Sequence, residues 1–329
     1  MPVPVYQGNL TRGVLRNETS YASSAGDYVW PGLGIGEFKG EVDEGITADR
    51  YVGAGSGRNI SRFQRGDINA KATLTGELQN ALLLAYAFGK NTNSGSPNYT
   101  HTIVESGTLP SFLYEDNKFG AAHFTETYPG CTVSEATLEG NQGEKIRATF
   151  NLVAQTGSPS TGSTAFTYTS GNELNPFLFN TLAVEVSGAG MTGALKEVIG
   201  FKFHMNNGLI LPHYAGAGSR VIQQPIPDNR DYDLSLNLFN PVGTGTTIYQ
   251  GAYRGGSQVN VDLFFLRVSG ATATAATDKV QIWMSGCQSL SADHPSQKEG
   301  ALPFDWTLQP STCGVVVKDG SDNYWAYVV

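Results

Sequence analysis

Cysteine and charge are both scarce in this chain. Three of its 329 residues are cysteine, Cys131, Cys287 and Cys313, and none belongs to a CxxC pair. An odd, scattered set argues against a disulfide framework and a structural zinc site, and leaves the thiols as small buried hydrophobes of a reducing compartment. Charged residues make up 15% against 40% hydrophobic, and acidic outnumber basic 29 to 21, for a net charge of −8. That balance argues against a basic, sequence-specific DNA-binding surface. The 15 Tyr and 16 Phe argue against intrinsic disorder. No apolar run approaches the roughly 18 residues of a membrane span; the longest helix-like one is Ala81 to Phe88. The opening residues Met-Pro-Val-Pro-Val-Tyr-Gln carry neither a basic n-region nor an apolar h-region, so no secretory signal is expected.

Motifs for chemistry are equally thin. His101, His123, His204, His213 and His294 are scattered, with no HxxxH spacing and no metal-ligand pattern. Gly32-Leu-Gly34-Ile-Gly36 and Gly53-Ala-Gly55-Ser-Gly57 complete neither GxGxxG nor GxxxxGK[ST], and no GxSxG elbow is present. The oxygen-rich run from Asp319 to Asn323 lacks the length and closing Glu of a calcium loop and reads as a polar turn. No catalytic residue, cofactor or metal is expected.

What the sequence has is a repeat. Tyr51-Val52-Gly53-Ala54-Gly55-Ser56 recurs as Tyr214-Ala215-Gly216-Ala217-Gly218-Ser219, an offset of 163 residues that also aligns Phe38-Lys39 with Phe201-Lys202 and Gly45 with Gly208. After a one-residue deletion Arg58 matches Arg220 and Ile60 matches Ile222. A second match, Gly130-Cys131 with Gly286-Cys287, has an offset of 156 and aligns Ile146, Ala148, Phe150 and Leu152 with Leu302, Phe304, Trp306 and Leu308. Both sets alternate, the period of a half-buried strand. Between the halves, Thr156 to Thr164 contains no apolar residue. The expected organisation is one domain over 1–156, a linker over 157–164 and a second domain over 165–329. Each half reads as a β-sandwich or barrel. One helix is expected in the first half, from Leu78, Ala81, Leu82, Ala85 and Phe88 at spacings of three and four, capped near Thr75 or Gly76 and at Gly89; Thr246 to Tyr253 is a weaker counterpart.

Between the first two strands of each half lies a long Gly-rich loop, about 43–66 and 206–229. The first carries Arg50, Tyr51, Arg58, Arg62, Phe63 and Arg65; the second carries His213, Tyr214, Arg220, Ile222 and Ile226. Arginine with aromatics is the composition of a protein contact, and unstructured loops of this length are either functional or disordered.

Several segments in order resemble the tail tube proteins of long-tailed bacteriophages and related archaeal viruses. They are Ile60-Ser-Arg-Phe-Gln-Arg-Gly-Asp67, Ala72 to Gly89, Tyr99-Thr-His-Thr-Ile103, Leu109-Pro-Ser-Phe-Leu-Tyr114, and Gly130 to Leu138 running into Ile146–Val153. The resemblance implies a non-enzymatic virion protein of the tail, made in the host cytoplasm. It implies β domains with a flanking helix that join edge to edge into rings, and rings that stack into a tube through which DNA passes without specific binding. The long loops would reach the neighbouring ring, and tape measure, terminator and baseplate proteins would be partners. Most members supply one domain per chain and make hexameric rings. Two domains per chain imply a pseudo-hexameric homotrimer, with a hexamer of chains as the alternative. Asp43, Glu44, Glu135, Glu139, Glu144, Asp231 and Asp233 are candidates for an acidic lumen that repels phosphate. The competing reading is a glycan-binding or adhesin-like tandem β-sandwich, with Trp30, Trp283, Trp306 and Trp325 as stacking platforms.

Overall fold

The computed structural model describes residues 11–49, 62–95, 99–118, 124–160, 175–214, 220–239, 244–267, 279–293 and 303–319. The first half runs β1 (Thr11–Ser20), β2 (Ser23–Val29), β3 (Leu33–Asp43), β4 (Ile46–Asp49), β5 (Arg62–Arg65), β6 (Asn69–Leu78), α1 (Leu82–Phe88), β7 (Gly89–Ser94), β8 (Tyr99–Glu105), β9 (Phe112–Lys118), β10 (Phe124–Asn141), β11 (Arg147–Ala154) and β12 (Ser158–Ser160). The second runs β13 (Leu182–Gly188), β14 (Met191–Leu195), β15 (Val198–Asn206), β16 (Asp231–Phe239), α2 (Thr244–Thr247) continuing as a π-helical turn (Ile248–Arg254), β17 (Val259–Leu266), β18 (Lys279–Asp293), β19 (Pro303–Gln309) and β20 (Thr312–Asp319).

The protein is mainly β, and its strands follow from strict alternation. On β16, Tyr232, Leu234, Leu236 and Leu238 are buried between the outward Asp231, Asp233, Ser235 and Asn237. On β6, Ala70, Ala72, Leu74 and Leu78 take the same inward positions.

Among the described residues all ladders are antiparallel; apart from the separate β4–β5 pair they form three sheets that share two long strands. One outer sheet has the order β2-β1-β9-β10-β12. The other has the order β14-β13-β17-β18-β20-β8-β7. Between them runs an eight-stranded inner sheet, β3-β6-β11-β10-β15-β16-β19-β18. The network is one continuous barrel-like wall. Followed ladder by ladder among the described residues, however, it is open, with free ends at β3 and β18. Inner and outer sheets sandwich a common core: Phe38 on β3 packs 4.9 Å from Tyr114 on β9, and Phe201 on β15 packs 5.8 Å from Phe265 on β17.

The long strands β10 and β18 cross from outer to inner sheet at the Gly-Cys repeat. Gly130 and Gly286 hold φ of +68° and +60°, a left-handed bend that glycine takes freely. The following Cys131 and Cys287 are buried, as is Cys313, and all three are free thiols. Burial pushes the Cys287 thiol up to about 12.

Four expectations are adjusted. The long loops follow the third strand of each half rather than the first, because the β1–β2 hairpin is too polar to announce itself by alternation. The first loop is not structureless where described: β4 and β5 pair across it. Helix α1 begins at Leu82, where Asn80 Oδ1 accepts from the Leu82 amide at 2.9 Å; Thr75 and Gly76 lie inside β6, and Gly89 ends the helix at φ +100°. Finally, Ser158–Ser160, inside the segment 157–164 read as a linker, pairs with Thr125–Thr127 of β10. Its lack of apolar side chains reflects exposure at a sheet edge, not lack of structure.

Candidate functional site

The junction between the halves is itself a β ladder. Glu135 to Asn141 of β10 pair with Asn206 to Gly200 of β15, so the inner sheet crosses from one half to the other without interruption. Asn207, at the end of β15, closes this seam. It is fully buried, its amide group donates to the carbonyls of Val133 at 2.9 Å and Ala87 at 3.0 Å, and its side-chain oxygen accepts from Arg230 Nε at 2.5 Å.

Strand registers repeat between the halves. Phe38 pairs with Leu74 and Leu74 with Phe150; in the second half Phe201 pairs with Leu236 and Leu236 with Trp306. The bulge between Ile35 and Glu37 recurs between Val198 and Gly200, and that between Val133 and Glu135 recurs between Ser289 and Ser291. Even the turn leaving the third strand repeats. Gly45 N donates to Asp43 Oδ1 at 2.9 Å, and Gly208 N donates to Asn206 Oδ1 at 2.8 Å. β3 is thus the counterpart of β15, and β18 of β10. The internal seam joins β10 to β15; the two ends of the inner sheet that have no further partner among the described residues are the matching strands β18 and β3.

One face of the inner sheet is packed and the other is polar. A rung of the polar face runs Lys39, Thr73, Asn151, Glu135, Asn206, Asp231; the next runs Glu37, Thr75, Thr149, Thr137, His204, Asp233; a third runs Glu77, Arg147, Glu139, Lys202, Ser235, Thr307. Side chains bond along the rungs. Thr73 donates to Asn151 Oδ1 at 3.0 Å, and Asn151 donates to Glu135 at 2.7 Å. With Glu41, Asp43, Asp293 and Asp305 on the same face, carboxylates outnumber the cations Lys39, Lys71, Arg147 and Lys202. Of the acidic candidates, Asp43, Glu135, Glu139, Asp231 and Asp233 share this face. Glu144 lies in the turn after β10, accepting from Asn141 Nδ2 at 3.1 Å.

Glu44 does a different job. Arg220 reaches across from the second loop, donating to the Gly66 carbonyl at 2.5 Å, the Glu44 carbonyl at 2.7 Å and the Glu44 carboxylate at 3.3 Å. The Ile68 amide donates back to the Arg220 carbonyl at 2.7 Å. The two loops are therefore stapled at their bases.

The remaining loop candidates divide. Arg62, Phe63 and Arg65 are exposed on β5, Phe63 by 67%. Tyr214 and Ile226 are exposed, while His213 is partly covered beside Asn69 and Asp67. Ile222 is fully buried, so its side chain is core and not a surface contact; its apolar character could not distinguish the two. Arg50, Tyr51 and Arg58 lie outside the described residues. The sequence reading missed Ile46 and Ile210, exposed apolar side chains at the loop bases, and Leu178 and Phe239, exposed at the opposite end of the inner sheet. Single apolar residues in polar turns carry no periodic signal, so nothing in the sequence set them apart.

The profile of the phage tail tube protein family matches residues 8–308. The chain belongs to this family. No curated protein matches the sequence. A phage tail tube protein is a structural component of the virion tail, and its geometry here agrees with that role: its features of note are sheet edges, loops and a charged face. Among the described residues no group of His, Cys, Asp and Glu is placed to hold a metal, and no helix is long and apolar enough to cross a membrane. Of the four tryptophans, two are core and Trp283 is half-buried on β18. Trp306 is buried with Nε1 on Ser289 Oγ at 2.9 Å, Trp30 is buried with Nε1 on Gln79 at 2.7 Å, and Trp325 lies outside the described residues.

Proposed function

We propose that three copies of this tail tube protein close a pseudo-hexameric ring, and that the rings stack into the conduit through which the viral genome is delivered. The observation that carries this reading is the β10–β15 seam. It joins two equivalent units edge to edge and leaves, at the ends of the same sheet, the two strands that would make the same joint with another copy. An eleven-residue edge such as β3, paired on one side only among the described residues, invites association. A closed ring satisfies every edge, and three chains of two units give six-fold pseudo-symmetry. The units correspond to the halves 1–156 and 165–329, joined through 157–164.

In this arrangement the polar face of the inner sheet lines the lumen. Its excess of carboxylates repels the DNA backbone, which lowers affinity and favours sliding. Stacking is an open heterologous contact between unlike ends. Ile46, Phe63, Ile210, Tyr214 and Ile226 lie toward one end of the sheet, and Leu178 and Phe239 lie at the other. The same ends would meet the tape measure, terminator and baseplate partners of a tail.

Negative-stain electron microscopy of the purified, concentrated protein tests the reading. Stacked rings or hollow tubes are expected. A protein that stays monomeric at high concentration, even when seeded with a tail initiator complex, would contradict it.

A further inference from the structure

We infer that the seams between chains differ from the seams within chains by an opposed carboxylate pair, so that ring closure, unlike folding of the chain, is governed by ionic strength. The partner is a second copy of this chain, and the inference rests on the ring reading above.

The registers allow the intermolecular joint to be written down. Within the chain Glu135 faces Asn206, Thr137 faces His204, and Glu139 faces Lys202. Shared bulges and cross-strand pairs map Glu135 and Thr137 of β10 onto Ser291 and Asp293 of β18, through their partners Asn151 and Thr149 against Thr307 and Asp305. They map Asn206 and His204 of β15 onto Asp43 and Glu41 of β3. A joint of the same register sets Ser291 opposite Asp43 of the next copy, and Asp293 opposite its Glu41.

The charge pattern across the joint changes with it. Across the β10–β15 joint no like charges stand directly opposite, and Glu139 meets Lys202. On the adjacent strand His204 Nδ1 lies 3.7 Å from the Asp233 carboxylate. Between chains the corresponding rung reads Asp305, Asp293, then Glu41 and Lys71 of the next copy. Three carboxylates adjoin, with Lys71 at one end only and Lys39 two residues along β3. Asp293, Asp305 and Glu41 are all exposed in the single chain. Like charges directly opposite on a ladder are destabilising, and exposed ones are screened within about 10 Å at 0.1 M salt. A ring carries this opposition at three seams. Asp293 already faces Asp305 within each chain; the opposition to Glu41 of the next copy is added on assembly, once at each seam, so the added penalty multiplies in the ring.

The test compares wild type, Asp293→Thr and Asp231→Asn by sedimentation velocity across a salt series. Asp293→Thr installs the side chain type found at Thr137. Asp231→Asn removes the same charge from the same face away from the free edges. Wild-type rings are expected to strengthen with salt. Asp293→Thr should assemble at roughly tenfold lower protein concentration in low salt, the product of a few-fold change at each seam, and lose most of the salt response. Asp231→Asn should follow wild type. Equal behaviour of the two variants, or no response to Asp293→Thr, overturns the inference while leaving the ring intact. A second readout fixes the register: Ser291→Cys with Asp43→Cys should form an interchain disulfide in rings, whereas Ser291→Cys with Lys39→Cys, four residues away, should not. The reverse pattern also overturns it. Failure of every variant to form rings at any salt removes the ring reading and this inference together.

Discussion

Asn207 Nδ2 lies 2.9 Å from the Val133 carbonyl, a fully buried hydrogen bond thrown from the second half of the chain onto the first. Its loss would orphan backbone carbonyls at both Val133 and Ala87 and the guanidinium of Arg230. Asn207→Ala should cost about 2–4 kcal/mol, since more than one buried group loses its partner. Urea unfolding of the single chain measures it. A cost near zero would mean that water replaces the side chain at the seam.

The Arg220 staple should behave differently, because it is partly exposed. Arg220→Ala should cost only about 1 kcal/mol in global stability. Its effect is local: amide exchange should quicken at Gly66 and Ile68, whose N–H groups bond to Gly45 O at 2.9 Å and Arg220 O at 2.7 Å. Unchanged protection at these two amides would show that the loop bases hold together without the guanidinium.

The crossing of β10 from outer to inner sheet depends on a missing side chain. A Cβ at Gly130 would stand 2.9 Å from the Tyr21 ring, whereas one at Gly143, also at positive φ, meets nothing. Gly143→Ala should cost about 1 kcal/mol for backbone strain alone. Gly130→Ala should cost more by about 1–3 kcal/mol for crowding. Equal costs by thermal unfolding would mean that Tyr21 moves aside freely.

Asp116 gives a signature in pH. It is buried on β9, and desolvation raises its pKa despite Lys118 at 3.3 Å. A carboxyl whose folded pKa lies above its unfolded value binds protons more tightly when folded. The associated stability is present below the unfolded pKa and is lost as pH rises through the folded one. Asp116→Asn should remove that loss, raising stability at neutral pH and flattening the slope on the acid side. A variant less stable than wild type at pH 7 would show that the Lys118 pairing outweighs desolvation.

Much of the fold was legible in the sequence because it is written as alternation and repetition. Phe38 and Phe201, and Phe150 and Trp306, align by offset and occupy matching places in the ladders. The polar face followed from the same alternation, which put Glu135, Glu139, Asp231 and Asp233 opposite buried neighbours. Pairing between distant strands was not legible. The β10–β15 seam depends on which edges meet, and no periodicity encodes that. The β7–β8 hairpin likewise pairs with β20, across the chain, through His101 opposite Val317 and Ile103 opposite Val315. Ile222 was misjudged for the same reason: burial in a loop is decided by distant packing, not local pattern.

In the proposed ring one chain contributes two equivalent units. Cryo-electron microscopy of assembled tubes, with symmetry determined ring by ring, tests it most directly. Three chains per ring, six similar units, and β18 of each chain paired with β3 of the next along a continuous inner wall are expected. Six chains per ring, or rings in which β3 and β18 remain unpaired, would contradict it.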